Sequence, residues 1–216
     1  MTVADRYRAL LERIDSWFGE AVRRRPGVVP CGRGCFACCL GPFDVTTADA
    51  ALVAAGFHAL PRRAREEVVS AARRQMRDVA RLEPGWEPPW AIVAIGERRF
   101  DRVCGALAAA ACPFLDGRGA CRIYHDRPLA CRMMGLPMRA GRGRVVKNAC
   151  PIQRQFPAYA ALSPQPFPLA SWEREEEVLQ VEAAQALFGP GGESRADERT
   201  FLAASVVRGC APGNAR

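Results

Sequence analysis

The stretch Cys31-Gly32-Arg33-Gly34-Cys35-Phe36-Ala37-Cys38-Cys39 places four thiols within nine residues, in the spacing Cys-x3-Cys-x2-Cys-Cys. Four more cysteines follow at wider intervals: Cys112, Cys121, Cys131 and Cys150. Thiolate is a soft donor that suits zinc, copper(I) and iron–sulfur clusters. These eight cysteines read as the ligands of one or two metal centres. On a regular helix, Cys31 and Cys38 would sit about 10 Å apart along the axis. One tetrahedral zinc, with Zn–S bonds of about 2.3 Å, cannot span that distance. The chain through 31–39 is therefore expected to loop, and Gly32 and Gly34 supply the freedom for tight turns. Cys38 and Cys39 are adjacent and are expected to diverge, one of them serving a second site with the downstream cysteines. Cys104 and Cys210 stand outside the pattern and read as ordinary thiols, buried or at the surface.

The 216 residues are enough to bury a core, so the cysteines are not needed to rescue a fold too small to stand alone. The net charge is +8, from 31 basic and 23 acidic residues, and Lys147 is the single lysine. Abundant Arg, Ala and Gly fit a GC-rich coding genome, which weakens the charge as a sign of nucleic-acid binding. No nucleic-acid recognition motif is present, and none is expected as a partner. Without an apolar run of about 18 residues, no membrane span is expected. Residues 1–19 are charged and amphipathic rather than leader-like, so the expected location is the cytoplasm. Ten cysteines in a reducing compartment argue for metal or redox chemistry over a disulfide frame.

The expected fold is mainly α, with irregular cysteine-bearing loops and one small β-sheet, stabilised by metal. Tyr7, Leu10, Leu11, Ile14, Trp17 and Phe18 recur at helical spacing, which predicts a helix over 4–24. Thr46 or Thr47 is expected to cap a short helix with Asp49 in its first turn and Gly56 at its end. Pro61 opens a longer helix through Leu82. Short strands are expected at 90–95, 99–104 and 144–147. Phe156 to Leu162 reads as a short helix, and Pro164, Pro166 and Pro168 as a rigid linker. Ser171 is expected to cap a helix to Phe188, with a last helix over 196–207. The division expected is a cysteine-cluster domain over 1–162 and a helical extension over 163–216.

Zinc sites usually show two Cys-x2-Cys knuckles. Here Cys35-x2-Cys38 is the one such pair, and the downstream gaps are eight, nine and eighteen residues. Cys112-Pro113 and Cys150-Pro151 match the Cys-Pro ending of bacterial ferredoxin ligand runs. Iron–sulfur is thus the leading cofactor, one or two clusters of 4Fe-4S type, with zinc as the alternative. Cys31-x3-Cys35-x2-Cys38 also has the spacing of radical S-adenosylmethionine enzymes. The chain lacks the alternating strand–helix units of their partial barrel.

Three segments carry a family resemblance: Cys112-Pro113-Phe114-Leu115-Asp116, Gly119-Ala120-Cys121-Arg122-Ile123-Tyr124 and Arg127-Pro128-Leu129-Ala130-Cys131-Arg132. With the 31–39 cluster, the chain over 28–152 resembles the YkgJ-type cysteine-cluster family, described as zinc- or iron-chelating. The family motif is Cys-x2-Cys-x2-Cys-Cys, and this chain has one residue more in the first gap. The resemblance implies that the same eight cysteines are the metal ligands and settles no reaction. Flagellin lysine N-methylases carry a related cluster, which makes S-adenosylmethionine-dependent protein methylation one candidate activity. A zinc-stabilised interaction module is another, with a basic face toward an acidic partner.

Arg122, Arg127 and Arg132 flank two ligands. They suit either charge compensation of a cluster or the tying down of loop carbonyls. Tyr124 is expected in the core or beside the ligands. His58 reads as a surface residue and His125 as surface or near the metal. Trp86, Trp90 and Trp172 read as core or lid residues. An unidentified redox or protein partner is expected.

Overall fold

The helical spacing of Tyr7, Leu10, Leu11 and Ile14 becomes the buried face of α1 (Val3–Arg23) in the computed structural model, which describes residues 1–32 and 34–209. Thr2 and Asp5 satisfy each other's backbone amides in a capping box at its start. A loop and a 3-10 turn at Ala37–Cys39 lead to the two-residue strand β1 (Asp44–Val45) and then α2 (Thr47–His58). Thr46 caps α2, and Asp49 completes a second capping box. Gly56 lies inside α2 instead of ending it. A Cβ there would come 2.7 Å from the Asp126 Cβ, so glycine admits the loop that carries Asp126. Pro61 precedes α3 (Arg62–Leu82), which buries Val68, Ala72, Met76 and Val79 and turns most of its arginines outward.

Residues 90–104 depart from expectation. Where two strands were expected, the chain forms a 3-10 turn at Ile92–Ala94 and the helix α4 (Glu97–Ala106). Phe100 and Val103, three residues apart, bury one face of α4, and Gly96 takes the positive φ that turns the chain into it. A short apolar window satisfies either period, and here the helical spacing wins. Shorter elements follow: α5 (Leu129–Met133), β2 (Met138–Arg139), β3 (Val145–Val146), α6 (Pro157–Ala160) and β4 (Gln165–Pro166). Strand β2 pairs antiparallel with β3 and parallel with β4. The proline-rich linker thus supplies an edge strand, the position in a sheet where proline is tolerated.

Helix α7 (Leu169–Phe188) starts after Pro168, earlier than expected, and Ser171 bonds back to the Pro168 carbonyl instead of capping. The helix expected over 196–207 is divided. Strand β5 (Thr200–Phe201) pairs with β1, and α8 (Leu202–Gly209) follows. There are therefore two small sheets among the described residues, where one was expected. Cys210 lies outside the described residues.

Helix α2 is apolar on both sides and lies between two buried clusters, as such a helix must. Val53 and Phe57 join Val68, Ala72, Val103, Phe201 and Ala204 from α3, α4, β5 and α8. Ala48 and Leu52 join Tyr7, Leu11, Trp172 and Ala183 from α1 and α7. Trp86 and Trp172 are core residues, and Trp90 packs partly buried at the edge. Among the described residues no helix is long and apolar enough to cross a membrane.

Candidate metal centre

The first cysteine cluster loops, as its glycines imply. Cys35 N–H bonds to the Gly32 carbonyl, Gly34 takes a φ of +87°, and the 3-10 turn carries Cys38 and Cys39. The Cys39 thiol is the largest influence raising the Cys38 pKa, ahead of burial.

Backbone pairing joins this turn to the second cysteine region. The Cys112 amide donates to the Cys39 carbonyl at 2.8 Å, and the Gly41 amide to the Ala110 carbonyl at 2.7 Å. Leu115 and Cys121 face each other in an isolated bridge. Asp116 Oδ1 accepts the Arg118 and Ala120 amides, both at 2.8 Å, which closes the turn delivering Cys121. Those amides hold the Asp116 carboxyl below its ordinary range. Gly119, at φ +76°, leaves room for Phe36, whose ring would stand 2.8 Å from a Cβ there. Cys131 arrives from the other side on α5.

Five thiols thus share one neighbourhood: Cys38, Cys112, Cys121 and Cys131 act on one another's charge, and Cys39 acts on Cys38 and accepts the Cys112 amide through its carbonyl. Burial pushes Cys112 up to about 12 and also raises Cys121 and Cys131, with the neighbouring thiols adding to the rise. The metal ligand is the thiolate, so metal binding by cysteine thiols releases protons. Among the described residues no cysteine is in a disulfide. Nor do any three Cys, His, Asp or Glu side chains among them converge at ligation geometry. The donor chemistry, all sulfur, fits a soft metal.

Cys31 and Cys150 lie together beside this group. Burial pushes Cys31 up to about 11, and Cys150, Cys35 and Cys38 contribute in that order. Cys150 is buried and Cys35 is exposed. Cys31 Sγ stands 3.9 Å from the Tyr159 hydroxyl, which donates to the Gly135 carbonyl at 2.6 Å. Gly135 has φ +107°, and a Cβ there would approach the Phe18 ring to 3.0 Å and Cys31 Sγ to 3.1 Å. Asn148 Oδ1 accepts the Cys150 amide at 2.9 Å. Sequence reading missed Tyr159 and Asn148. Asn148 had a local signal, since Asn two residues before an amide is the usual Asx arrangement. Tyr159 is 128 residues from Cys31 and had none.

The arginines act as ties. Arg132 is buried, with Nε bonded to the Arg127 carbonyl at 3.0 Å and Nη2 to the His125 carbonyl at 2.6 Å. Its remaining nitrogen pairs with Asp15 of α1, which Arg127 also reaches at 2.5 Å. Arg127 bonds the Tyr124 carbonyl and lies over the Tyr124 ring. Its charge also lowers the pKa of Cys38 and Cys121, which leaves charge compensation open to it. Arg122 pairs with Glu67 of α3 at 2.5 Å. Tyr124 is 58% exposed, which corrects the expectation of a core position. His125 and His58 are both exposed. Cys104 sits on α4, packed against the core and apart from both groups, with burial pushing its pKa up to about 11.

Neither the curated proteins nor the solved structures searched yielded a match to the chain. The cysteine-cluster family described as a "putative zinc- or iron-chelating domain" matches residues 30–151, close to the span expected from the motifs. Those residues are more than half of the chain and include all eight cysteines of the two groups. The chain therefore belongs to the CxxCxxCC family of zinc- or iron-chelating domains.

Proposed function

We propose that this protein is an iron–sulfur protein, holding one or two clusters of 4Fe-4S type through its eight cysteines, and that it works in electron transfer, redox sensing or metal handling. The observation that carries this reading is the five-thiol group itself. Sulfurs from three separate stretches lie near enough to act on one another's charge, with Arg127 acting on two of them. A cluster held by thiolates carries negative charge, and a nearby guanidinium offsets it. The test is anaerobic purification followed by iron and acid-labile sulfide analysis. Coloured protein with both supports the reading, and colourless protein with stoichiometric zinc contradicts it.

One observation favours the zinc-stabilised interaction module as a second reading. A groove of about 660 Å³ runs between the end of α2 and α3, lined by Arg62, Arg65, Arg73 and Arg77 over Phe57 and Val69. Such a groove suits an acidic protein segment. Binding of acidic peptides that weakens steeply with added salt, by protein holding zinc and no sulfide, would favour this reading over the first.

A further inference from the structure

We propose that Cys31 and Cys150, with Cys35 as a third sulfur, form a metal centre separate from the five-cysteine group, and that Asn148 and Tyr159 are its positioning residues. This rests on the thiol-ligation reading above.

The argument starts from an uncommitted donor. Asn148 is locked from two sides. Its Oδ1 accepts the Cys150 amide at 2.9 Å, and its backbone carbonyl accepts Gln153 Nε2 at 2.8 Å. With the oxygen fixed, the planar carboxamide has one place for its nitrogen. That nitrogen is buried and has no hydrogen-bond partner among the described residues. It lies beside the Tyr159 hydroxyl without the geometry of a hydrogen bond. An amide donor buried without an acceptor costs about 1–3 kcal/mol. Buried polar groups are otherwise almost always satisfied, so this one points to an acceptor that the chain acquires.

Tyr159 narrows the choice of acceptor. Its single hydroxyl proton goes to the Gly135 carbonyl at 2.6 Å, so it meets Cys31 as an acceptor of the thiol proton. Cys150 is within reach of the same hydroxyl. When Cys31 and Cys150 become thiolates, that S–H bond is lost and the sulfurs become acceptors. The Asn148 N–H is the donor standing ready for them. Tyr159 meanwhile holds Gly135, whose missing side chain makes room for Cys31 Sγ. Hydrogen bonds of this kind orient ligands, and losing one typically weakens metal retention about 10–100-fold.

The test uses the full chain, purified anaerobically, with metal content measured and metal release to a chelator followed in time. Wild type should release metal in two phases. Asn148→Asp keeps the acceptor for the Cys150 amide and removes the donor, and it should speed one phase about tenfold or more while leaving the other unchanged. Tyr159→Phe should speed the same phase. Cys31→Ser should abolish that phase, and Cys131→Ser the other. Circular dichroism on each variant separates these effects from unfolding. Unchanged release in both Asn148→Asp and Tyr159→Phe would overturn the positioning role. Loss of all metal in Cys31→Ser as in Cys131→Ser would show a single shared centre and overturn the separation. Wild type that takes up no metal would overturn the ligation reading itself, and the second centre with it.

Discussion

The five-cysteine group and the Cys31–Cys150 pair differ in what stands behind their sulfurs. Cys112 and Cys121 rest on the apolar core shared by α2, α3, α4 and α8. The helix bearing Cys131 is tied from two directions. Asp49, buried in α2, accepts the Leu129 amide at 2.8 Å and the Tyr7 hydroxyl at 3.1 Å. Arg132 and Arg127 fasten the loop before it to Asp15 of α1. The pair, by contrast, depends on a few near contacts: an Asx bond from Asn148, a hydroxyl from Tyr159 and a gap left by Gly135. One group is braced by several helices and the core, and the other by a few contacts around Gly135, Asn148 and Tyr159. Damage to the fold should therefore reach the first group, and local changes should reach the second alone.

The sharpest way to break this contrast is to remove one sulfur from each side. Cys131→Ser should lose the metal of the five-cysteine group, and Cys31→Ser should leave that metal in place, as read by metal content after anaerobic purification. Next in size is Arg132→Leu, which leaves Asp15 with Arg127 alone and takes the donor from two loop carbonyls. Leaving a buried acceptor unsatisfied costs about 1–3 kcal/mol. Denaturant titration should show a loss of that order, together with loss of metal from the five-cysteine group. Gly135→Ala should cost about 1–3 kcal/mol, because a side chain at φ +107° is strained and would press on Phe18 and Cys31. Its effect on metal should fall on the pair.

Much of the fold and the list of eight cysteines was legible in the sequence, the way those cysteines divide was not, and the reasons differ by region. The Tyr7–Leu10–Leu11–Ile14 spacing marked α1, and Thr46 with Asp49 marked the start of α2, because caps and periodicity are local signals. The eight cysteines were legible by spacing and motif. The fate of 99–104 was not, since Phe100 and Val103 fit a strand or a helix equally until packed. Gly56 looked like a helix end because its reason for being glycine is Asp126, seventy residues away. The 3-10 turn at Ala37–Cys39 is announced by no residue there. The contact of Tyr159 with Cys31 belongs wholly to the tertiary fold.

A pH effect sharpens the contrast further. Burial and the nearby Asp49 charge push Glu176 up to about 7 from an ordinary 4.5, and burial raises Asp49 as well. Between those two pH values the folded chain holds a proton at Glu176 that the unfolded chain has lost. The stability linked to Glu176 is therefore fully present below about 4.5 and is lost as pH rises through about 7. Denaturation midpoints should fall across that window in wild type, and Glu176→Gln should flatten the fall. A wild-type midpoint that rises through the same window would contradict the assignment. The smallest effect expected is that of Cys104→Ala, outside both groups, which should keep full metal content and shift stability by about 1 kcal/mol.

Mössbauer spectroscopy with iron and acid-labile sulfide analysis, on anaerobically purified protein, tests the central claim most directly. Thiolate-held clusters predict iron and sulfide in comparable amounts, with the spectrum of cluster iron in wild type and a reduced share of it in Cys131→Ser. Zinc without sulfide, or protein with no bound metal, would contradict it.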